Sequence, residues 1–281
     1  MKYDLTNDPE LVITLESLGN ESIIVENIKT LFTEKLPNFI TSIKSKLNFF
    51  DSIKDEEKIS KGVLNDKYKI ALKHIPALDF LLFADRIISV PEDFEGQLLD
   101  YLKILNQTFP MFSNQINDIL DEYNLILASF VTNKEDKYSL QDHSRLFDLS
   151  RVKRESILSE LKVFFPKDTG KTKKRMRDIL KNFGELEPLV LTASKLNDQI
   201  LATNLNQIKN RVNKAIDSLD IILKQMTNNE ADRLSQEAAL NISKGAFEIG
   251  KLIESYVIVY NDARIAVYSV EKLLDTIIDK K

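Results

Sequence analysis

The chain has 281 residues, with 39 basic and 43 acidic side chains, a formal charge of −4 and 43% apolar content. It has no cysteine, which excludes a disulfide framework, a thiolate nucleophile and every cysteine-ligated metal site, and its two histidines, His74 and His143, are too few for most histidine-ligated centres. Seven glycines and seven prolines argue against glycine-rich cofactor loops and a turn-rich all-β fold, so the expected class is all-α.

The N-terminus turns acidic at once, at Asp4 and Asp8, with no apolar signal region. A cytoplasmic setting, or incorporation into an intracellularly assembled particle, is the expectation. Asn20 or Ser22 is placed to cap a helix carrying Ile23, Ile24, Ile28, Leu31 and Phe32. Pro37 kinks or restarts it, and Phe39, Ile40, Ile43 and Leu47 continue the three-four spacing. A polar connection over 51–66 leads to a helical segment from Asn65 to about His74. Pro76 punctuates it, and Ala77 to Ile88 reads as a further apolar helix. The stretch 72–90 holds Lys73, His74, Asp79, Asp85 and Arg86, too many charges for a lipid-spanning segment.

Ser89-Val90-Pro91-Glu92 has the form of a helix start, with a serine cap, an early proline and an acidic residue. The helix it opens carries Phe94, Leu98, Leu102 and Leu105 and ends near Phe109-Pro110. Ser113 caps the next, whose face is Ile116, Ile119, Leu120, Tyr123, Leu127 and Phe130. A polar stretch from Val131 to Leu140 follows, where the charge balance changes sign. Residues 1–140 carry 15 basic and 23 acidic groups and residues 141–281 carry 24 and 20. Two regions are therefore expected: an acidic N-terminal helical region, 1–140, and a C-terminal helical region, 141–281, with a basic segment at 151–181 and a long hairpin at 185–280.

A helix from Ser150 to about Phe164 and a short basic helix from Lys171 to Asn182 open the second region. Beyond them, Leu205, Ile208, Val212, Ala215, Leu219, Ile222 and Met226 alternate at three and four, a heptad seam. The same spacing reaches back toward Glu185. A polar turn at Thr227–Glu230 separates this from a second seam of Ala246, Ile249, Ile253, Tyr256, Tyr260, Ala263, Val267, Val270, Leu274 and Ile277. A helix from 230 to 279 would extend roughly 75 Å. The expected architecture is an elongated helical bundle with a long C-terminal antiparallel, coiled-coil-like hairpin, in which Ile208, Val212, Leu219 and Ile222 face Ile249, Ile253, Tyr256, Tyr260, Val267 and Val270. Gly245, Ala246 and Gly250 would let another backbone approach closely. The run Ile253 to Tyr260 is apolar on nearly every face, so a third surface, from the N-terminal helices or another subunit, must cover it.

Few motifs carry chemistry. Gly170-Lys171-Thr172 resembles the end of a phosphate-binding loop, but Phe165 stands where that loop needs its first glycine. The carboxylates at Asp55-Glu56-Glu57, Glu92-Asp93-Glu95 and Asp118-Asp121-Glu122 read as solvated surface, and no His-Glu-x-x-His or Glu-x-x-His pattern occurs. His143 lies beside Asp142 and Ser144 in what reads as a polar loop. The basic segment is more substantial, with eleven cations against four acids over 151–181. Arg151, Arg154, Lys171, Lys173, Lys174, Arg175 and Arg177 are its candidate contacts for phosphate or an acidic partner. No aromatic residue is interleaved over Lys171–Arg177, so a base-stacking surface is absent there.

The sequence therefore reads as a non-enzymatic structural or scaffolding protein without cofactor, metal or small-molecule ligand, acting through helix-mediated contacts with a protein partner or with itself. A component of a large assembly such as a virus particle fits this reading. A phosphate-binding module for nucleic acid or an anionic membrane, using 151–177, is the alternative.

Overall fold

The computed structural model describes residues 36–52, 59–91, 97–131, 140–162, 171–225 and 236–279. The fold is an all-α bundle. Its helices are α1 (Leu36–Ser52), α2 (Val63–His74), α3 (Phe80–Phe83), α4 (Leu98–Val131), α5 (Leu140–Lys162), α6 (Met176–Ile179), α7 (Leu186–Ala202), α8 (Leu205–Gln225) and α9 (Gln236–Ile278). Single 3-10 turns lie at Ile75–Ala77 and Phe183–Glu185, and one antiparallel ribbon pairs β1 (Ile87–Pro91) with β2 (Lys171–Arg175). The chain packs as two units. The first comprises Met1–Phe50, Gln115–Lys153 and Leu205–Glu254, and the second Asp51–Asn114, Arg154–Asn204 and Ser255–Lys281. Each draws residues from both sides of 140/141, and α4 and α9 contribute to both.

In the first unit, Leu36, Ile40, Ile43 and Leu47 form the buried stripe of α1, and the helix starts at Leu36-Pro37, where a proline's fixed φ suits a first turn. The α4 residues Ile116, Ile119, Leu120, Tyr123 and Leu127 are buried, as are Ile208, Val212, Ala215, Leu219 and Ile222 of α8. Polar side chains then fix which helix meets which. The Asn124 amide donates to Leu120 O in its own helix at 2.8 Å and to Arg211 O of α8 at 3.2 Å. Tyr123 Oη donates to Ile242 O of α9 at 2.7 Å. Gln115 Nε2 donates to Ser150 O and Oγ, and Ser150 Oγ donates to Glu248 Oε1 at 3.0 Å, joining α4, α5 and α9.

The second unit repeats the device. The Asn106 amide donates to Leu102 O and to Thr192 O of α7, at 3.0 and 2.8 Å. Four residues on, Pro110 has no N–H to return to Asn106 O, the bond an α-helix would make there. That carbonyl accepts instead from Gln199 Nε2 of α7 at 3.4 Å. The helix consequently does not end at Phe109-Pro110, and no cap at Ser113 is needed: α4 runs unbroken for 34 residues. Phe109 stacks on Tyr256 of α9 with ring centroids 6.0 Å apart and lies 5.9 Å from Tyr260. Lys67 Nζ of α2 bonds Glu271 Oε1 and Asp275 Oδ1 of α9, at 2.8 and 2.6 Å.

Four further expectations are corrected. Residues 77–88 make only a four-residue helix, with Asp79 capping Leu81 N, before β1 begins at Ile87. Ser89-Val90-Pro91 is therefore strand and not a helix start, its alternation burying Ile88 and Val90. Lys171–Arg175 is strand as well, so the basic helix shrinks to Met176–Ile179. The continuous arm from 185 to 226 is broken at Thr203-Asn204, where Thr203 turns extended and its hydroxyl donates back to Gln199 O at 2.9 Å. The turn expected at Thr227–Glu230, the helix over 20–32, the linker of 132–139 and the Gly170 motif lie outside the described residues.

Helix α9 departs furthest from a two-helix seam. Every second-seam residue from Ala246 to Ile277 is buried, but so are Ile242, Glu248, Leu252, Ser255, Val259, Asp262, Ala266 and Ser269 on its other faces. The cover demanded by Ile253 to Tyr260 comes from this chain's own helices.

Candidate functional site

The basic segment resolves into separate places. Phe147, Ser150 and Arg154 recur at three and four along α5 and form its buried face, which removes Arg154 from the surface contacts expected of it. Arg151 is exposed in the first unit, 3.9 Å from Asp148. Lys171, Lys173, Lys174, Arg175 and Arg177 belong to the second unit and lie on or beside the β1–β2 ribbon.

The ribbon's register pairs Ile87 with Arg175, Ile88 with Lys174, Ser89 with Lys173, Val90 with Thr172 and Pro91 with Lys171. Ile88 and Val90 face inward, so Ile87, Lys173 and Arg175 share the outward face. Ile87 is 65% exposed, and Leu81, on the short helix before it, is 76% exposed. Local packing holds this corner firmly. Phe80 and Phe83 meet Phe183 edge-on at 5.2 and 5.8 Å, and the Arg86 guanidinium lies 4.7 Å over the Phe83 ring. Met176 N donates to Arg86 O and Arg177 N to Ala84 O, at 2.8 and 3.0 Å. Asp85 faces Arg175 at 3.3 Å and Arg177 at 3.1 Å. All three groups are solvated, so these pairs orient the arginines more than they stabilise the fold.

The seam residues are side chains of the two cores. Ile208, Val212, Leu219 and Ile222 lie in the first unit with Ile249 and Ile253, whereas Tyr256, Tyr260, Val267 and Val270 lie in the second. Leu205 is half-buried. Gly245 admits aromatic rings and not a backbone. A Cβ added there would run into the Tyr123 ring and stand 2.8 Å from Phe147 Cζ, the two rings themselves meeting edge-on at 5.9 Å.

One buried acid escaped sequence reasoning. Asp262 lies buried on α9, and burial pushes its carboxyl up to about 8. The same burial, and then the nearby Asp262 charge, raises the Tyr101 hydroxyl well above its ordinary range. An acidic residue inside the apolar run 256–267 was the signal available in the sequence. Burial lowers Lys67 less than its bonds to Asp275 and Glu271 raise it, so it stays a cation. His74 is exposed, and His143 lies within α5 and not in a loop. Asp121 accepts from Arg211 at 3.3 Å.

Among the described residues no group of three or more His, Cys, Asp or Glu could hold a metal ion, and no helix is long and apolar enough to cross a membrane. A cleft lined by Lys61, Asn65, Ser194, Asn197 and Asp198 has a volume of about 90 Å³. That is room for about three waters, below the several hundred Å³ of typical small-molecule sites. No protein-family model, curated protein or solved structure matches the chain.

Proposed function

We propose that this chain is a non-enzymatic structural or scaffolding protein that acts through protein–protein contacts as part of a larger assembly. The observation that carries this reading is the use made of its buried polar groups. Asn106, Gln115, Tyr123, Asn124, Ser150 and Ser269 each bind another element of the fold. Such a core supplies a fixed scaffold. Its surface supplies contact area: Leu149 and Val152, each 58% exposed, stand one turn apart on α5 beside the cations Arg151 and Lys153. The test is the native mass of the protein in an extract of its own source, by size-exclusion with light scattering. A large stable assembly is the expected result. Elution alone at the mass of one chain, 32.3 kDa, would overturn the reading.

A second reading, binding of phosphates on nucleic acid or an anionic membrane, is favoured by the outward face that Lys173 and Arg175 share with Ile87. It expects affinity that collapses as salt is raised and that charge reversal of Lys173 and Arg175 removes.

A further inference from the structure

We infer that the outer edge of β2 takes up an extended, acidic segment of a partner protein by strand addition. The hydrogen-bonding phase of the ribbon leads to this. Met176 N bonds Arg86 O, so the pair 86/176 is a hydrogen-bonded one, as are 88/174 and 90/172 by alternation. The backbones of 87, 89 and 91 on β1, and of 171, 173 and 175 on β2, therefore point away from the ladder. Two observations agree with that phase. Pro91, which has no N–H to give, sits where none is needed. Ser89 O, turned outward from β1, accepts from Ser269 Oγ of α9 at 2.8 Å.

The two edges thus differ. That of β1 lies against α9, and on β2 Arg175 N is taken by Asp178 Oδ2 at 3.3 Å. The N–H and C=O of Lys173 meet no partner among the described residues, and no third strand pairs there. An open edge is a template for another strand, and the side chains flanking it choose which. Lys173 and Arg175 beside exposed Ile87 repel the same edge of a second copy and attract a strand that alternates carboxylates with apolar residues. This names the partner's chemistry within the scaffold reading and rests on it.

The experiment uses the full chain and a fluorescein-labelled decapeptide of alternating Glu and Val, followed by anisotropy. Saturable binding is expected. Lys173→Pro takes from the backbone only an outward N–H, and the lysine charge goes with it, so it should leave the thermal transition in place and weaken binding by at least about tenfold. Lys173→Gln should weaken it less and reduce its salt dependence. On the unmodified protein, a decapeptide N-methylated at alternate residues keeps its charge but loses its backbone donors, and it should not bind. Equal binding of the methylated peptide, equal binding by the proline variant or no saturable binding overturns the proposal. So does capture of phosphatidylserine vesicles that displaces the peptide, since a lipid surface needs no strand. Each of these leaves the native-mass result, and with it the scaffold reading, independently decided.

Discussion

Gly245 and Asp262 show how single residues of α9 set limits on the fold. Gly245→Ala places a methyl group against Tyr123 and Phe147, which cannot both retreat while Tyr123 keeps its bond to Ile242 O. A loss of about 1–3 kcal/mol in urea unfolding is expected. An unchanged midpoint would show that the rings have room. Asp262 acts through protons. The folded chain holds its proton up to about pH 8, whereas the unfolded chain releases it near the ordinary 3.8. Between those values the folded state binds more protons, so this group's contribution to stability falls as pH rises and levels off above the window. Asp262→Asn should flatten that decline and make the variant the more stable form, relative to the parent, at pH 8. Parallel pH profiles for the two proteins would refute it.

Elements were legible in the sequence where one apolar face met one neighbour, and illegible where tertiary contacts decided. The stripe Leu36, Ile40, Ile43, Leu47 and the seam of α8 follow directly from three-four spacing. The β1 strand was hidden because serine, proline and glutamate in succession also spell a helix start. Only the pairing with Lys171–Arg175, distant in sequence, makes it a strand. The continuity of α4 was hidden for a related reason, since the group that satisfies Asn106 O comes from Gln199, far along the chain. Gln199→Ala should therefore cost about 1–3 kcal/mol in the parent, as an orphaned carbonyl does. It should cost much less in a Pro110→Ala background, where residue 110 regains its N–H. A double-mutant cycle with no coupling would remove Gln199 from that role. Of the candidate site, the cations Lys173 and Arg175 could be picked from charge alone. Their common face, and the exposure of Ile87 beside them, could not.

Across the molecule, α4 and α9 matter because each supplies residues to both packing units. A helix that belongs to two cores links their unfolding. One cooperative urea transition, reported alike by far-ultraviolet circular dichroism and by tyrosine fluorescence, is the expected result. Two resolved transitions would mean that the units melt separately. The position of α9 in the chain has a consequence in time. Its 43 residues supply side chains to both cores, yet they are translated after every other described helix. While the ribosome is still making them, Phe109 and Tyr123 of α4 lack the Tyr256 ring and the Ile242 carbonyl that they meet in the folded chain. Neither core is complete before α9 has emerged. This protein should accordingly lean on chaperones until residue 278 is free, and a ribosome halted before 236 would release a chain prone to aggregate.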